Sequence, residues 1–219
     1  MQIDVELSIL AGGKSTRMGV HKGSLSLGEK NFVDHIICNI GNLFPSISVI
    51  DNGLQETKIP GVSYHGDALE IASKSSLLGI HSALYHSRAP QTFILGCDTP
   101  LVNPKVVEYI ISQKDKGDIV VCMADGRFQP LYGIYHKKVL PRVEETLLQD
   151  LHKIKMLLDE FDTYYIPEQE LMELDPEMNF IKNFNTYADY QRLLEKGVNV
   201  LSTDLQDLYD LQGKEKRKN

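Results

Sequence analysis

The chain has 219 residues, 42% of them hydrophobic and 24% charged, with a formal net charge of −7. That length and balance suffice for one substantial core and predict an α/β domain, while the acidic surplus excludes a general nucleic-acid binder, which needs a basic face. Cys38, Cys97 and Cys122 are odd in number and lack C-x-x-C spacing, so they predict a reducing compartment rather than a disulfide framework or a zinc site.

The first apolar run carries Val5, Leu7, Ile9 and Leu10. It is short, is broken by Asp4 and Glu6 and has no basic leader, so it is expected to be a buried strand and neither a signal peptide nor a membrane span. A cytoplasmic protein with no membrane partner is the expectation. The run stops at Ala11-Gly12-Gly13-Lys14-Ser15-Thr16-Arg17-Met18-Gly19-Val20-His21-Lys22. Glycines here let backbone N–H groups approach negative oxygens, and Lys14, Arg17 and Lys22 supply counter-charge, which is the chemistry of a phosphate-holding loop.

Asn31 is placed to cap a helix whose apolar positions Phe32, Val33, Ile36, Ile37, Ile40 and Leu43 recur at three and four. Ile47, Val49 and Ile50 predict a second strand, ending at the turn sequence Asp51-Asn52-Gly53. A third strand at Val62-Ser63-Tyr64 runs into Gly66-Asp67, and a helix over residues 76–86 follows. Thr92-Phe93-Ile94-Leu95 is the fourth strand and delivers Gly96-Cys97-Asp98-Thr99-Pro100. Asn103 and Pro104 open the next helix, a capping residue followed by the ring that tolerates the first helical position. This alternation of strand and crossover predicts a doubly wound, mostly parallel sheet, with ligands at the carboxyl ends of its strands.

Beyond residue 118 the pattern changes. Strands at Ile119-Val120-Val121-Cys122-Met123 and Pro130-Leu131-Tyr132-Gly133-Ile134-Tyr135 are too close for a crossover and predict a hairpin, hence one antiparallel strand. Helices are expected over 139–148 and 154–161, a strand over 163–166, and a last core helix over 187–195, introduced by the capping-box pair Thr186 and Asp189. Residues 1–196 form the predicted domain. Residues 197–219 are a C-terminal extension, in which Val198, Val200, Leu201, Leu205, Leu208 and Leu211 suit a docked helix and the mostly basic end frays.

Two chemistries compete for the glycine loop. Gly13-Lys14-Ser15-Thr16 matches the end of the Walker motif G-x-x-x-x-G-K-[ST], with the apolar run before Asp98 as its metal-binding strand. Ser8 stands where that motif needs its first glycine, and Gly19 weakens the helix that should follow. Asp98 itself suits an oxygen ligand for Mg²⁺ against a triphosphate, or a cap for the loop before Pro104. The histidines lack metal-ligand spacing, and no Gly-x-Ser-x-Gly nucleophile elbow is present.

Leu10-Ala11-Gly12-Gly13, Ser15, Arg17-Met18-Gly19 and Lys22 resemble the signature L-A-G-G-x-S-x-R-M-G-x-x-K of nucleotidyltransferases that use a nucleoside triphosphate. The likeness is to the molybdenum cofactor guanylyltransferases, the MobA family. Cys97-Asp98-Thr99-Pro100 is similar to that family's C-D-T-P, Gln129-Pro130-Leu131-Tyr132 to its Q-P-L, and Asn183-Phe184-Asn185-Thr186 to its N-x-N-T. His21 stands where the family often has an aspartate, and Lys74-Ser75-Ser76 replaces its glycine-proline approach.

The resemblance implies a Rossmann-like nucleotidyltransferase fold with a small antiparallel addition. It implies nucleotide binding by Leu10, Ala11, Gly12, Gly13, Lys22, Asn52, Asp67 and Asp98, with Arg17, Lys22 and Asp98 in catalysis, Mg²⁺ on Asp98, and the pterin substrate on Asn183 and Asn185. Asp51 competes with Asn52 for its place, and Asn52 is preferred. The implied reaction moves GMP from GTP to molybdenum-loaded molybdopterin. Partners would be GTP, molybdopterin, and the receiving molybdoenzymes or their chaperones. A cytidylyltransferase, a sugar-phosphate nucleotidyltransferase of the same fold and a non-catalytic molybdenum-cofactor carrier are the alternatives; Gly12 points to guanine, since the cytosine branch typically reads Leu-Ala-Ala-Gly.

Overall fold

The computed structural model describes residues 4–12, 26–27, 30–52, 58–71 and 74–183. The first strand, β1 (Val5–Leu10), is buried along its whole length. Its two polar side chains are accommodated by partners: Glu6 accepts from Ser46 Oγ at 3.2 Å, and Ser8 accepts from Ser48 Oγ at 3.1 Å. Buried polar groups persist only when bonded in this way. A short antiparallel pair, β2 (Ser26–Leu27) and β3 (Lys30–Asn31), precedes α1 (Phe32–Ile40). Asn31 caps α1, its side chain accepting from Asp34 N at 2.9 Å, as the sequence predicts. The helix is shorter than its apolar periodicity suggests, because the chain tightens into a 3-10 turn at Gly41–Leu43.

The chain then gives β4 (Ile47–Ile50), β5 (Ser63–His65), α2 (Ser76–His86), β6 (Gln91–Gly96) and α3 (Pro104–Ser112). The expected caps are in place: Asn103 accepts from Lys105 N, and Pro104 sits in the first turn of α3. Next come β7 (Ile119–Ala124), β8 (Arg127–His136), α4 (Leu140–Leu148), α5 (Ile154–Glu160), β9 (Thr163–Ile166) and the short α6 (Glu168–Met172). Neither α6 nor the 3-10 turn at Asn179–Ile181 was expected from the sequence. The predicted helix over 187–195 and the extension after 196 lie outside the described residues.

Seven strands form one sheet in the order β5-β4-β1-β6-β8-β7-β9. Only β8 runs against its neighbours, pairing antiparallel with β6 on one side and β7 on the other. The expected antiparallel strand lies inside the sheet, between β6 and β7. Helices cover both faces. Val33, Ile36 and Ile40 of α1 and Val106, Val107 and Ile110 of α3 pack with Leu7, Ile9, Phe93 and Leu95. On the opposite face Leu77, Leu78 and Leu84 of α2, Val143 and Leu147 of α4 and Leu157 of α5 pack with Leu10, Ile50 and Ile94. Burial on both faces is why the central strands read as nearly continuous apolar runs.

Candidate nucleotide site

In a parallel stretch of sheet every strand ends on the same rim, so the loops that leave those ends share one space. β1, β4, β5 and β6 are mutually parallel and bring residues 10–12, 51–52, 66–67 and 97–98 to that rim. Ala11 N and Gly12 N both donate to Ile50 O at 2.9 Å, and Cys97 N donates to Leu10 O at 3.1 Å. The chain leaving β1 is thus hooked between the ends of β4 and β6. A Cβ added to Gly12 would lie 3.2 Å from Asn52 Nδ2, so the backbone passes Asn52 closely enough to favour glycine.

The structure separates the two neighbours that compete at the end of β4. Asp51 turns inward and is 2% exposed, with its N–H donating to His65 O at 3.0 Å. Asn52 is exposed and has φ 55°, a left-handed conformation that asparagine tolerates better than most residues. Its Oδ1 accepts Asp67 N–H at 2.7 Å and its Nδ2 donates to Asp67 Oδ2 at 3.1 Å. Lys74 Nζ donates to the same carboxylate oxygen at 2.6 Å. Gly12, Asn52 and Asp67 therefore form one contiguous group, and Lys74 joins it. In the sequence Lys74 stands only as a departure from a family motif, and no local spacing signals that it folds back onto a residue seven positions earlier.

Asp98 follows β6 and is half-buried. A Cβ added to Gly96 would stand 2.7 Å from Asp98 Oδ1 and 3.7 Å from Leu131 Cδ1, so the missing side chain at 96 makes the recess in which the carboxylate lies. The turn is closed by Thr99, whose hydroxyl donates to Gly96 O at 3.0 Å. A carboxylate in such a recess fits a hard divalent cation. Among the described residues no group of three or more His, Cys, Asp or Glu gathers to hold a metal. Phosphate oxygens and water would then complete the shell, which is the habit of Mg²⁺.

Leu131 reaches this rim because β8 is reversed: Leu95 at the end of β6 pairs with Tyr132 in the middle of β8, and Leu131 is the next residue toward the rim. Tyr132 in turn meets the ring of Phe180 edge-on at 5.0 Å between centroids. Asn183 is exposed and follows Phe180 by three residues. Gly13, Arg17, Lys22 and Asn185 lie outside the described residues. No helix among the described residues is long and apolar enough to cross a membrane.

Electrostatics around the site come partly from histidine. His65, at the end of β5, stacks on His86 of α2 with ring centroids 4.2 Å apart and planes 8° from parallel. Its pKa is lowered from the ordinary value, first by burial and then by repulsion from His86.

An open sheet of this order, with a glycine turn after its first strand and a recessed carboxylate after β6, defines a nucleotide-handling α/β enzyme of the nucleotidyltransferase class. The model of the MobA-like NTP transferase domain matches residues 7–164, and the chain belongs to that family. A probable molybdenum cofactor guanylyltransferase of Natranaerobius thermophilus is 29% identical over 196 residues, covering 88% of this chain and 96% of that protein. A protein of the same name from Flavobacterium johnsoniae is 32% identical, over 81% of this chain and 90% of its own. Among solved structures, the molybdopterin-guanine dinucleotide biosynthesis protein A of Archaeoglobus fulgidus superposes with a TM-score of 0.73 at 23% identity, covering 85% of this chain and 95% of that one.

Proposed function

We propose that this nucleotidyltransferase moves GMP from GTP to the terminal phosphate of molybdenum-loaded molybdopterin, releasing pyrophosphate, as a step of molybdenum cofactor biosynthesis. The observation that carries the reading is the convergence of Gly12, the Asn52–Asp67 pair and Asp98 on one rim of the sheet. The names of the relatives supply the substrates.

In this reading the backbone at Leu10, Ala11, Gly12 and Gly13 admits the nucleotide, while Asn52 and Asp67 orient it. The pterin phosphate attacks the α-phosphorus in line. A new P–O bond forms as the bond to the β-phosphate bridge breaks, and the electron pair leaves with pyrophosphate. No protein nucleophile is needed, so catalysis rests on alignment and charge neutralisation. Asp98 would hold Mg²⁺, which supplies charge neutralisation at the triphosphate. Arg17 and Lys22 supply further positive charge, and Asn183 and Asn185 bind the pterin through their amides.

Pyrophosphate release tests this directly. The purified protein is incubated with Mg²⁺, molybdenum-loaded molybdopterin and each nucleoside triphosphate in turn. Pterin-dependent release with GTP alone is the expected result. Release with CTP instead moves the enzyme to cytidylyl transfer, and pterin binding without release makes it a carrier.

A further inference from the structure

We propose that Ser82 and His86 are positioning residues of the nucleotide site, clamping the peptide groups on either side of Asp67 from one face of α2. This rests on the reading of Asp67 as a nucleotide contact. Asp67 lies in a stretch without regular hydrogen bonding between β5 and α2, where the backbone has no ladder to hold it. His86 Nε2 lies 3.1 Å from Gly66 O, and Ala68 N–H donates to Ser82 Oγ at 3.0 Å. A carbonyl can only accept, so His86 carries its proton on Nε2. Ser82 is fully buried and its hydroxyl donates to Leu78 O at 2.8 Å, leaving a lone pair to accept from Ala68 N–H.

Ser82 and His86 are four residues apart, which puts both on one stripe of the helix. The packing of α2 onto the sheet does not require either of them: Leu77, Leu78, Ile80, Ala83 and Leu84 supply the buried apolar face. The ring of His86 is itself held, stacked on His65 at 4.2 Å and met edge-on by Tyr85 at 5.3 Å. Asn52 grips Asp67 between the two clamped peptides. Three consecutive residues are thus held by side chains from two separate segments, and the carboxylate of Asp67 inherits that rigidity. Preorganisation of this kind lowers the ordering cost of binding a ligand.

The test compares His86→Phe, His86→Gln and Ser82→Ala with Asp67→Ala in the full chain. Phenylalanine keeps a ring against His65 but cannot donate; glutamine loses the ring but can donate to the same carbonyl. The readouts are amide exchange at residues 67 and 68 in the free protein and the affinity for GTP with Mg²⁺. Loss of one such bond corresponds to about a tenfold effect. His86→Phe and Ser82→Ala should therefore speed exchange and weaken GTP binding about tenfold, with kcat near that of the parent. His86→Gln should stay within about twofold of the parent. In the Asp67→Ala background His86→Phe should change GTP affinity no further, the non-additivity expected of residues acting through one another. Unchanged exchange in both His86→Phe and Ser82→Ala overturns the clamp, as does equal damage from phenylalanine and glutamine or full additivity with Asp67→Ala. Faster exchange in a chain whose GTP affinity ignores Asp67→Ala upholds the clamp and overturns the nucleotide role of Asp67 instead.

Discussion

The two sides of the sheet do different work. On the side β5-β4-β1-β6 all neighbours are parallel, and each carboxyl end contributes a polar residue or a glycine to one rim. On the side β8-β7-β9 the reversed strand passes that rim at its middle and places Leu131 and Tyr132 there. The ladder between β7 and β8 also slips, from Val121 opposite Gly133 to Cys122 opposite Gln129, so residues 130–132 leave the pairing with β7. Pro130, which has no N–H to donate, suits that bulge. Its carbonyl accepts the Tyr135 hydroxyl at 2.7 Å. One reversed strand is enough to set apolar residues beside the polar strand ends of its neighbour.

Substitutions on the two sides should separate turnover from stability. The largest effect is expected from Asp98→Asn, which keeps the shape of the side chain and removes its charge. Turnover should fall by about two to three powers of ten, the usual cost of losing one preorganised electrostatic contact, with little change in Tm. A chain that melts early yet turns over normally would put Asp98 among the structural residues. On the other side, Ile134 is buried toward the end of β8, between β6 and β7. Ile134→Val removes one methylene and should cost about 1 kcal/mol, lowering Tm by a few degrees while the KM for the nucleotide holds. A raised KM would show that the two sides are mechanically coupled.

The smallest effect concerns the joint between the sides, where α2 packs on α4. His81 is buried there with no hydrogen-bond partner within the ordinary geometry among the described residues, and Glu144 Oε2 stands 3.5 Å from its Nε2. Burial lowers its pKa from the ordinary 6.5, and Glu144 offsets this only in part. A base with a lowered folded pKa binds fewer protons folded than unfolded, so stability is lost as pH falls through the ordinary value toward the folded one. Denaturation midpoints measured at neutral pH and below pH 6 should therefore differ less in His81→Leu than in the parent, by a small fraction of total stability. An unchanged pH slope would place that dependence elsewhere.

Much of this was legible in the sequence, and the exceptions are non-local. The apolar runs of β1 and β6, the Asn31 cap and the Asn103-Pro104 start are signals confined to a few residues, and they appear where expected. The Ser76–His86 helix also falls within its predicted bounds. Asp51 and Asn52 were harder to separate, because both are turn residues and only the left-handed backbone at 52 sends one side chain toward Gly12. The place of β8 between β6 and β7 depends on partners distant in the chain, which a local pattern does not name. The same holds for Lys74, Ser82 and His86, whose contacts with residues 66–68 arise from the way α2 lies across the sheet.

The β7–β8 turn is tighter than the spacing of its apolar runs suggested. Only Asp125 and Gly126 separate the strands, with φ of 52° and 68°. Both angles are those of a two-residue turn whose twist matches the strands it joins. Every parallel contact in the sheet must instead close a loop long enough to hold a crossover, at a larger entropic penalty. The hairpin is thus the pairing of the sheet whose closure costs the least chain entropy, and its reversed strand is the one against which β6, and with it Asp98, is registered.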